Sequence, residues 1–379
     1  MKSSIRPFRV DIPEHALEDL KSRLRNTRWP EPETVDDWSQ GIPLAYMQEL
    51  CHYWSEDYDW RATESRLNSF PQFRMEIDGL DVHFLHVRSP HAGALPLIIT
   101  HGWPGSIVEF LKVIEPLVDP VKFGADVGDA FDVVCPSLPG YGFSGRPHSM
   151  SWDIDHIGHA WTELMSALGY ARYGAQGGDW GSMVTSAIGR QDPGHVAGIH
   201  LNMPVSGGDS MSLDNLSESD QSLLAAMAEF QKWETGYSTQ QSTRPQTLGY
   251  GLADSPAGQC AWIVEKFKAW TDCGGHPENI LTRDEILDNV TVYWFGNTAA
   301  SSARLYWMSY GNIDLGAVEV PTGCSIFAKE VIKLPRRWVE SRFTDLRYWN
   351  ELDIGGHFAA LEQPELFVNE LRTFFRLVR

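Results

Sequence analysis

No stretch of this chain approaches the roughly 20 consecutive apolar residues of a membrane-spanning helix, so no span is expected. Residues 3–11 lack the apolar core of a secretory signal. Cysteine is scarce and scattered: Cys51, Cys135, Cys260, Cys273 and Cys324 are odd in number and form no C-x-x-C pair. Neither a disulfide framework nor a zinc site follows, and a reducing cytoplasm is the simplest home. Positive charge is also in deficit, with 31 Lys and Arg against 50 Asp and Glu and a formal net charge of -19. That balance excludes nucleic acid and anionic membrane surfaces as natural partners. Internal repeats and low-complexity linkers are absent too.

What is present is enough for a large core: 379 residues, 42% hydrophobic and 12% aromatic, with 15 tryptophans. Length alone suggests two or three units, although an α/β fold with an insertion often runs this long. Ala16, Leu17, Leu20 and Leu24 fall at helical spacing behind Pro13, and Leu44, Met47, Cys51 and Trp54 make a second stripe. Alternation follows: Phe73, Met75 and Ile77, a turn at Asp78-Gly79, then Leu80, Val82 and Phe84, which predicts a hairpin. From about residue 95, short apolar strands alternate with helices, the pattern of a parallel sheet. The strands are expected at 97–100, 131–135, 171–176 and 196–201, then at 322–328 and 346–352, with a closing helix over 364–377. The stretch between is helical and aromatic and reads as a lid inserted into the sheet. The expected division is therefore 1–90 as an N-terminal helical and hairpin extension, 91–204 with 317–379 as the core, and 205–316 as the helical lid.

Chemistry concentrates at Gly177-Gly178-Asp179-Trp180-Gly181-Ser182, between a strand and an apolar run. Small residues two positions either side of a central side chain suit a sharp strand-to-helix turn that exposes a nucleophile. Here the nucleophile would be an aspartate where a serine is usual. A carboxylate gains little by attacking an amide or ester. Attack on a saturated carbon with a strained or good leaving group gives an alkyl ester, hydrolysable at the aspartate's own carbonyl. The competing reading of Asp179 is a helix N-cap.

A second glycine-rich turn, His101-Gly102-Trp103-Pro104-Gly105-Ser106, follows the first sheet strand. Such a loop and the residue after the nucleophile can form an oxyanion hole, here from the backbone amides of Trp103 and Trp180. Gly355-Gly356-His357-Phe358 follows the last strand, where a base that activates water is expected. The strand ending His200-Leu201-Asn202 offers no carboxylate to orient His357. Glu330, after the next strand, is preferred over Asp353, with an ion pair to Lys333 as its ordinary alternative. An acid for a departing alkoxide could be any of Tyr237, Tyr250, Tyr293, Tyr306 and Tyr310, since tyrosine stays protonated at neutral pH. Composition does not choose among them.

Together with Pro139-Gly140-Tyr141-Gly142-Phe143-Ser144 and Thr27-Arg28-Trp29-Pro30, these motifs resemble the epoxide hydrolases of the α/β-hydrolase superfamily. The branch is the microsomal type with an N-terminal region, in its soluble microbial form, and the resemblance spans nearly the whole chain. It implies an α/β-hydrolase fold in which Asp179 is the nucleophile, His357 the base and Glu330 the orienting acid. Tyr237, ahead of Ser242-Thr243-Arg244-Pro245, and Tyr306, in Arg304-Leu305-Tyr306, become the epoxide-binding pair. Trp103 and Trp180 line the substrate and supply the oxyanion amides, and the Trp103-Pro104 bond is expected to be cis. No metal or organic cofactor is implied. The expected partners are a small apolar or aromatic epoxide and water, with a homodimer unremarkable. Detoxification and a biosynthetic step fit equally. A haloalkane dehalogenase shares the aspartate and the ester but not the tyrosine pair. An inactive binding or sensor protein on the same fold is the reading from another class.

Overall fold

The computed structural model describes residues 4–207 and 213–379. Nine strands form one sheet: β1 (Arg6–Phe8), β2 (Gln72–Ile77), β3 (Leu80–Val87), β4 (Leu95–Thr100), β5 (Phe131–Pro136), β6 (Tyr173–Gly177), β7 (Val196–Leu201), β8 (Thr322–Ile326) and β9 (Leu346–Glu351). Their spatial order is β1-β2-β3-β5-β4-β6-β7-β8-β9. From β5 onward every neighbour is parallel, and β4 to β8 are buried almost throughout. Helices cover both faces of such a sheet, which is why these strands read as continuous apolar runs.

The expected hairpin forms, turning at Asp78 (φ 47°) and Gly79. It is no separate appendage: β3 pairs antiparallel with β5 and extends the central sheet. Two elements escaped the sequence reading, the three-residue edge strand β1 and the helix Trp60–Asn68. The helices Glu14–Arg25 and Leu44–Glu56 stand where the apolar stripes place them.

Between β7 and β8 the described residues are helical, with helices at Glu218–Trp233, Gly236–Thr243, Pro245–Asp254, Pro256–Trp270, Arg283–Gly296 and Ala299–Ser309. Residues 208–212 of the expected 205–316 insertion, and residues 1–3, lie outside the described residues. The N-terminal helices lean on this insertion. Tyr58 and Thr63 both donate to the buried Asp288 carboxylate, and Trp54 Nε1 donates to Thr291 Oγ1 at 2.9 Å. Among the described residues no helix is long and apolar enough to cross a membrane, and all five cysteines are free and buried. A mostly parallel sheet wrapped by helices, with helical chain inserted after β7, is the α/β-hydrolase fold.

Candidate active site

Asp179 stands at the sharp turn between β6 and the helix Trp180–Gln191, with φ 51° and ψ -131°. A non-glycine residue held there stores roughly 1–3 kcal/mol of strain, which surrounding packing must hold in place. The glycines two positions either side explain how the turn fits. A Cβ on Gly177 would lie 2.1 Å from the Gly181 carbonyl oxygen, and one on Gly181 would lie 2.0 Å from that of Thr100. The helix-cap reading fails, because the Asp179 side chain makes no capping hydrogen bond. Its Oδ1 instead accepts from the Trp103 N–H at 2.8 Å, and its Oδ2 lies 3.3 Å from His357 Nε2.

The Trp103 amide is aimed by its own loop. Leu138 N–H donates to His101 Nε2, so Nδ1 carries the proton and donates to the Gly102 carbonyl at 2.9 Å. Burial pulls His101 down to about 4, only partly offset by that carbonyl and the Asp179 charge, which keeps the ring neutral. The Gly102 C=O and the Trp103 N–H share one planar peptide and point opposite ways, so holding the first directs the second. The Trp103-Pro104 bond is cis. From the insertion, Asn289 Nδ2 donates to the Pro104 carbonyl and Tyr293 Oη to that of Gly105, while Ser106 Oγ donates to Asn289 Oδ1. Trp180 opens its helix, where the first N–H groups have no partner within the helix.

His357 follows β9, and Glu330 follows β8. His357 Nδ1 and Glu330 Oε1 are 2.6 Å apart, with side chains 3% and 0% exposed. The loops carrying them are joined where Lys329 N–H donates to the Gly355 carbonyl, and the His357 N–H donates to that of Trp270. Burial alone would depress the imidazole. The Glu330 charge and the hydrogen bonds to Asp179 and Glu330 outweigh it and hold His357 well above its ordinary value. Lys333 donates to the Ala328 carbonyl, not to Glu330, and Asp353 is exposed.

Of the five tyrosines left open by composition, the structure brings two above Asp179. Tyr237 stacks on Trp103 with ring centroids 4.9 Å apart and planes 9° from parallel, and Tyr306 stands edge-on to Trp103 and Trp180. Burial raises both phenols, with the Asp179 charge adding to each, so both keep their protons. Tyr306 Oη is buried without a hydrogen-bond partner among the described residues. Tyr293 is committed to Gly105, while Tyr250 and Tyr310 are 72% and 51% exposed. Sequence reasoning missed Trp270, whose ring touches Tyr237 and His357 edge-on at 5.1 Å each. It also missed Asn289. Neither sits in a motif, and only the insertion's packing shows what they do.

A family model described as "Epoxide hydrolase N terminus" matches residues 5–110, and one for the alpha/beta hydrolase fold matches 96–251. The chain is 53% identical over 376 residues to a Stigmatella aurantiaca protein provisionally assigned as an epoxide hydrolase, covering 99% of this chain and 86% of the relative. Epoxide hydrolase 1 of Sus scrofa is 35% identical, with 99% and 89% covered. Among solved structures, the Aspergillus niger epoxide hydrolase matches with a TM-score of 0.89 at 33% identity, over 99% of this chain and 97% of that one. These matches run over nearly the whole chain, and with an aspartate at the turn after β6, beside a histidine and a glutamate and below two protonated phenols, the chain belongs to the epoxide hydrolases of the α/β-hydrolase fold.

Proposed function

We propose that this epoxide hydrolase opens its substrate through a covalent ester on Asp179. The Asp179 carboxylate attacks an epoxide carbon while Tyr237 and Tyr306 donate hydrogen bonds to the ring oxygen and one proton reaches the developing alkoxide. The observation that carries this reading is the continuous line from Glu330 through His357 to Asp179, ending below two protonated phenols, Tyr306 buried and Tyr237 half-buried.

Ester formation then changes the base. Two of the influences that hold His357 protonated are the charge and the hydrogen bond of Asp179, and both vanish once that carboxylate is esterified. Burial then pulls the imidazole toward its neutral form, its proton replacing the one a phenol gave to the alkoxide, and the freed imidazole can take a proton from water. Water attacks the Asp179 carbonyl carbon, the amides of Trp103 and Trp180 receive the oxyanion, and the diol leaves with a proton from His357. Glu330 keeps the Nδ1 proton in place and stabilises the cation as it forms.

In this reading the described helices between β7 and β8 act as the lid of the pocket, residues 91–204 with 317–379 carry the core, and the N-terminal extension lends its hairpin 72–87 to the core sheet. The aromatic walls of Trp103, Trp180 and Trp270 suit a small apolar or aromatic epoxide. Styrene oxide is the test: the reading requires phenylethanediol without any added metal or cofactor. Halide release from a chloroalkane with no diol would point to the dehalogenase, and binding without turnover to the sensor.

A further inference from the structure

Behind Asp179 lies a cavity of about 20 Å³, whose walls include Glu109, Gln176, Asn202 and His357. One water needs about 10–15 Å³ and two to four polar partners, so the space suits a single molecule. The amides show which atoms are available to it. Asn202 Nδ2 donates to the Ser325 carbonyl at 3.4 Å, which leaves its Oδ1 to accept from Gln176 Nε2 at 2.5 Å. Gln176 Oε1 is thereby left buried with no partner among the described residues. Such an atom costs about 1–3 kcal/mol unless something donates to it.

Glu109 enters the same space from the short 3-10 helix Ile107–Phe110. Its Oε1 lies 1.4 Å from where a Cβ on residue 105 would sit, so only glycine there lets the carboxyl reach inward. Burial pushes the carboxyl up to about 8; the His357 charge opposes that rise and the Asp179 charge adds to it. The mechanism above gives neither Glu109 nor Gln176 a task.

We propose that Glu109 is a further catalytic residue, which with Gln176 holds the water that hydrolyses the Asp179 ester. This rests on the ester reading. The water directs one hydrogen to His357 Nε2 and the other to Gln176 Oε1, and accepts a hydrogen bond from the Glu109 carboxyl. With three tetrahedral directions fixed, the remaining lone pair faces the Asp179 carbonyl carbon. As the new C–O bond forms, the first hydrogen passes to His357. When the ester C–O bond breaks, that proton goes to the departing diol oxygen. Glu109 neither gains nor loses a proton.

Single-turnover kinetics of the full chain with styrene oxide separates alkylation from hydrolysis. Misplacing a reactant by about 1 Å can cost about 100-fold, so Glu109→Ala should slow hydrolysis by roughly that factor, leave alkylation within about threefold, and accumulate ester by intact mass. Glu109→Gln, whose amide N–H replaces the hydroxyl donor, should recover most of the lost rate, and matching thermal melts would show both variants folded. Wild-type hydrolysis in Glu109→Ala, equal slowing of both steps, or no recovery in Glu109→Gln would overturn the proposal. A wild-type enzyme that formed no ester would instead overturn the reading beneath it.

Discussion

At the scale of single residues, the site works by placing charge where burial would otherwise forbid it. His357 is held protonated mainly by carboxylates that overcome its burial, and removing one of them should be measurable. In Asp179→Ala the imidazole should titrate at lower pH than in the wild-type protein, as followed by histidine NMR resonances. An unchanged titration would contradict the account of how the base is released. The tyrosines make a second prediction. Tyr237→Phe and Tyr306→Phe should each raise the alkylation barrier by about 2–4 kcal/mol, the worth of one donor to a developing oxyanion, and the double variant should nearly abolish it. Wild-type alkylation in both single variants would show the wrong tyrosines were chosen. Asp179, His357 and Trp103 were legible because each sits within a short motif. Glu330 was legible only by its place after a strand. Glu109, Gln176 and Trp270 were not, because each is brought to the site by contacts distant in sequence, such as Asn202 for Gln176.

At the scale of elements, the turn beneath Asp179 depends on backbone approach. Gly181→Ala and Gly177→Ala would drive a methyl against carbonyl oxygens at 2.0 and 2.1 Å, whereas the nearest atom to a Cβ on Gly178 is 3.9 Å away. Overpacking of this kind costs about 1–3 kcal/mol, so both should lower stability in chemical denaturation while Gly178→Ala stays near wild type. Equal effects at all three positions would remove the steric explanation. The helix Arg283–Gly296 grips the loop that aims the Trp103 amide, through Asn289. Asn289→Ala leaves buried partners unsatisfied and should cost about 1–3 kcal/mol, with alkylation and hydrolysis slowed together. Strands β4 to β8 were readable from apolar runs to within a few residues. By contrast β1 is a three-residue edge strand containing Pro7, too short for a period to show. The helix Trp60–Asn68 buries only Trp60, Thr63 and Leu67 among charged neighbours, which leaves a thin stripe.

For the whole molecule, alternation reveals a hairpin but not its partner. Residues 72–87 were read as part of an extension, yet β3 lies against β5 and continues the sheet. Register across a sheet is set by distant chain, which local patterning does not encode. The N-terminal helices also reach the insertion through Asp288, whose carboxyl burial pushes up to about 6. Deleting residues 4–90 should therefore abolish cooperative unfolding, since it strips three of the nine strands from the sheet. A truncated chain that kept native near-ultraviolet circular dichroism would show the extension to be dispensable. The fold and the candidate chemical groups thus follow from motifs and periods, while sheet order, the grip of Asn289 on the loop after β4 and the cavity beside Asp179 follow from packing. The claim on which the rest depends is the Asp179 ester, and a single turnover in heavy-oxygen water tests it most directly. With an ester intermediate, the label enters the Asp179 carboxylate and the first diol carries an oxygen from the enzyme. A first-turnover diol labelled fully from solvent would mean that water attacks the epoxide itself, and would contradict that claim.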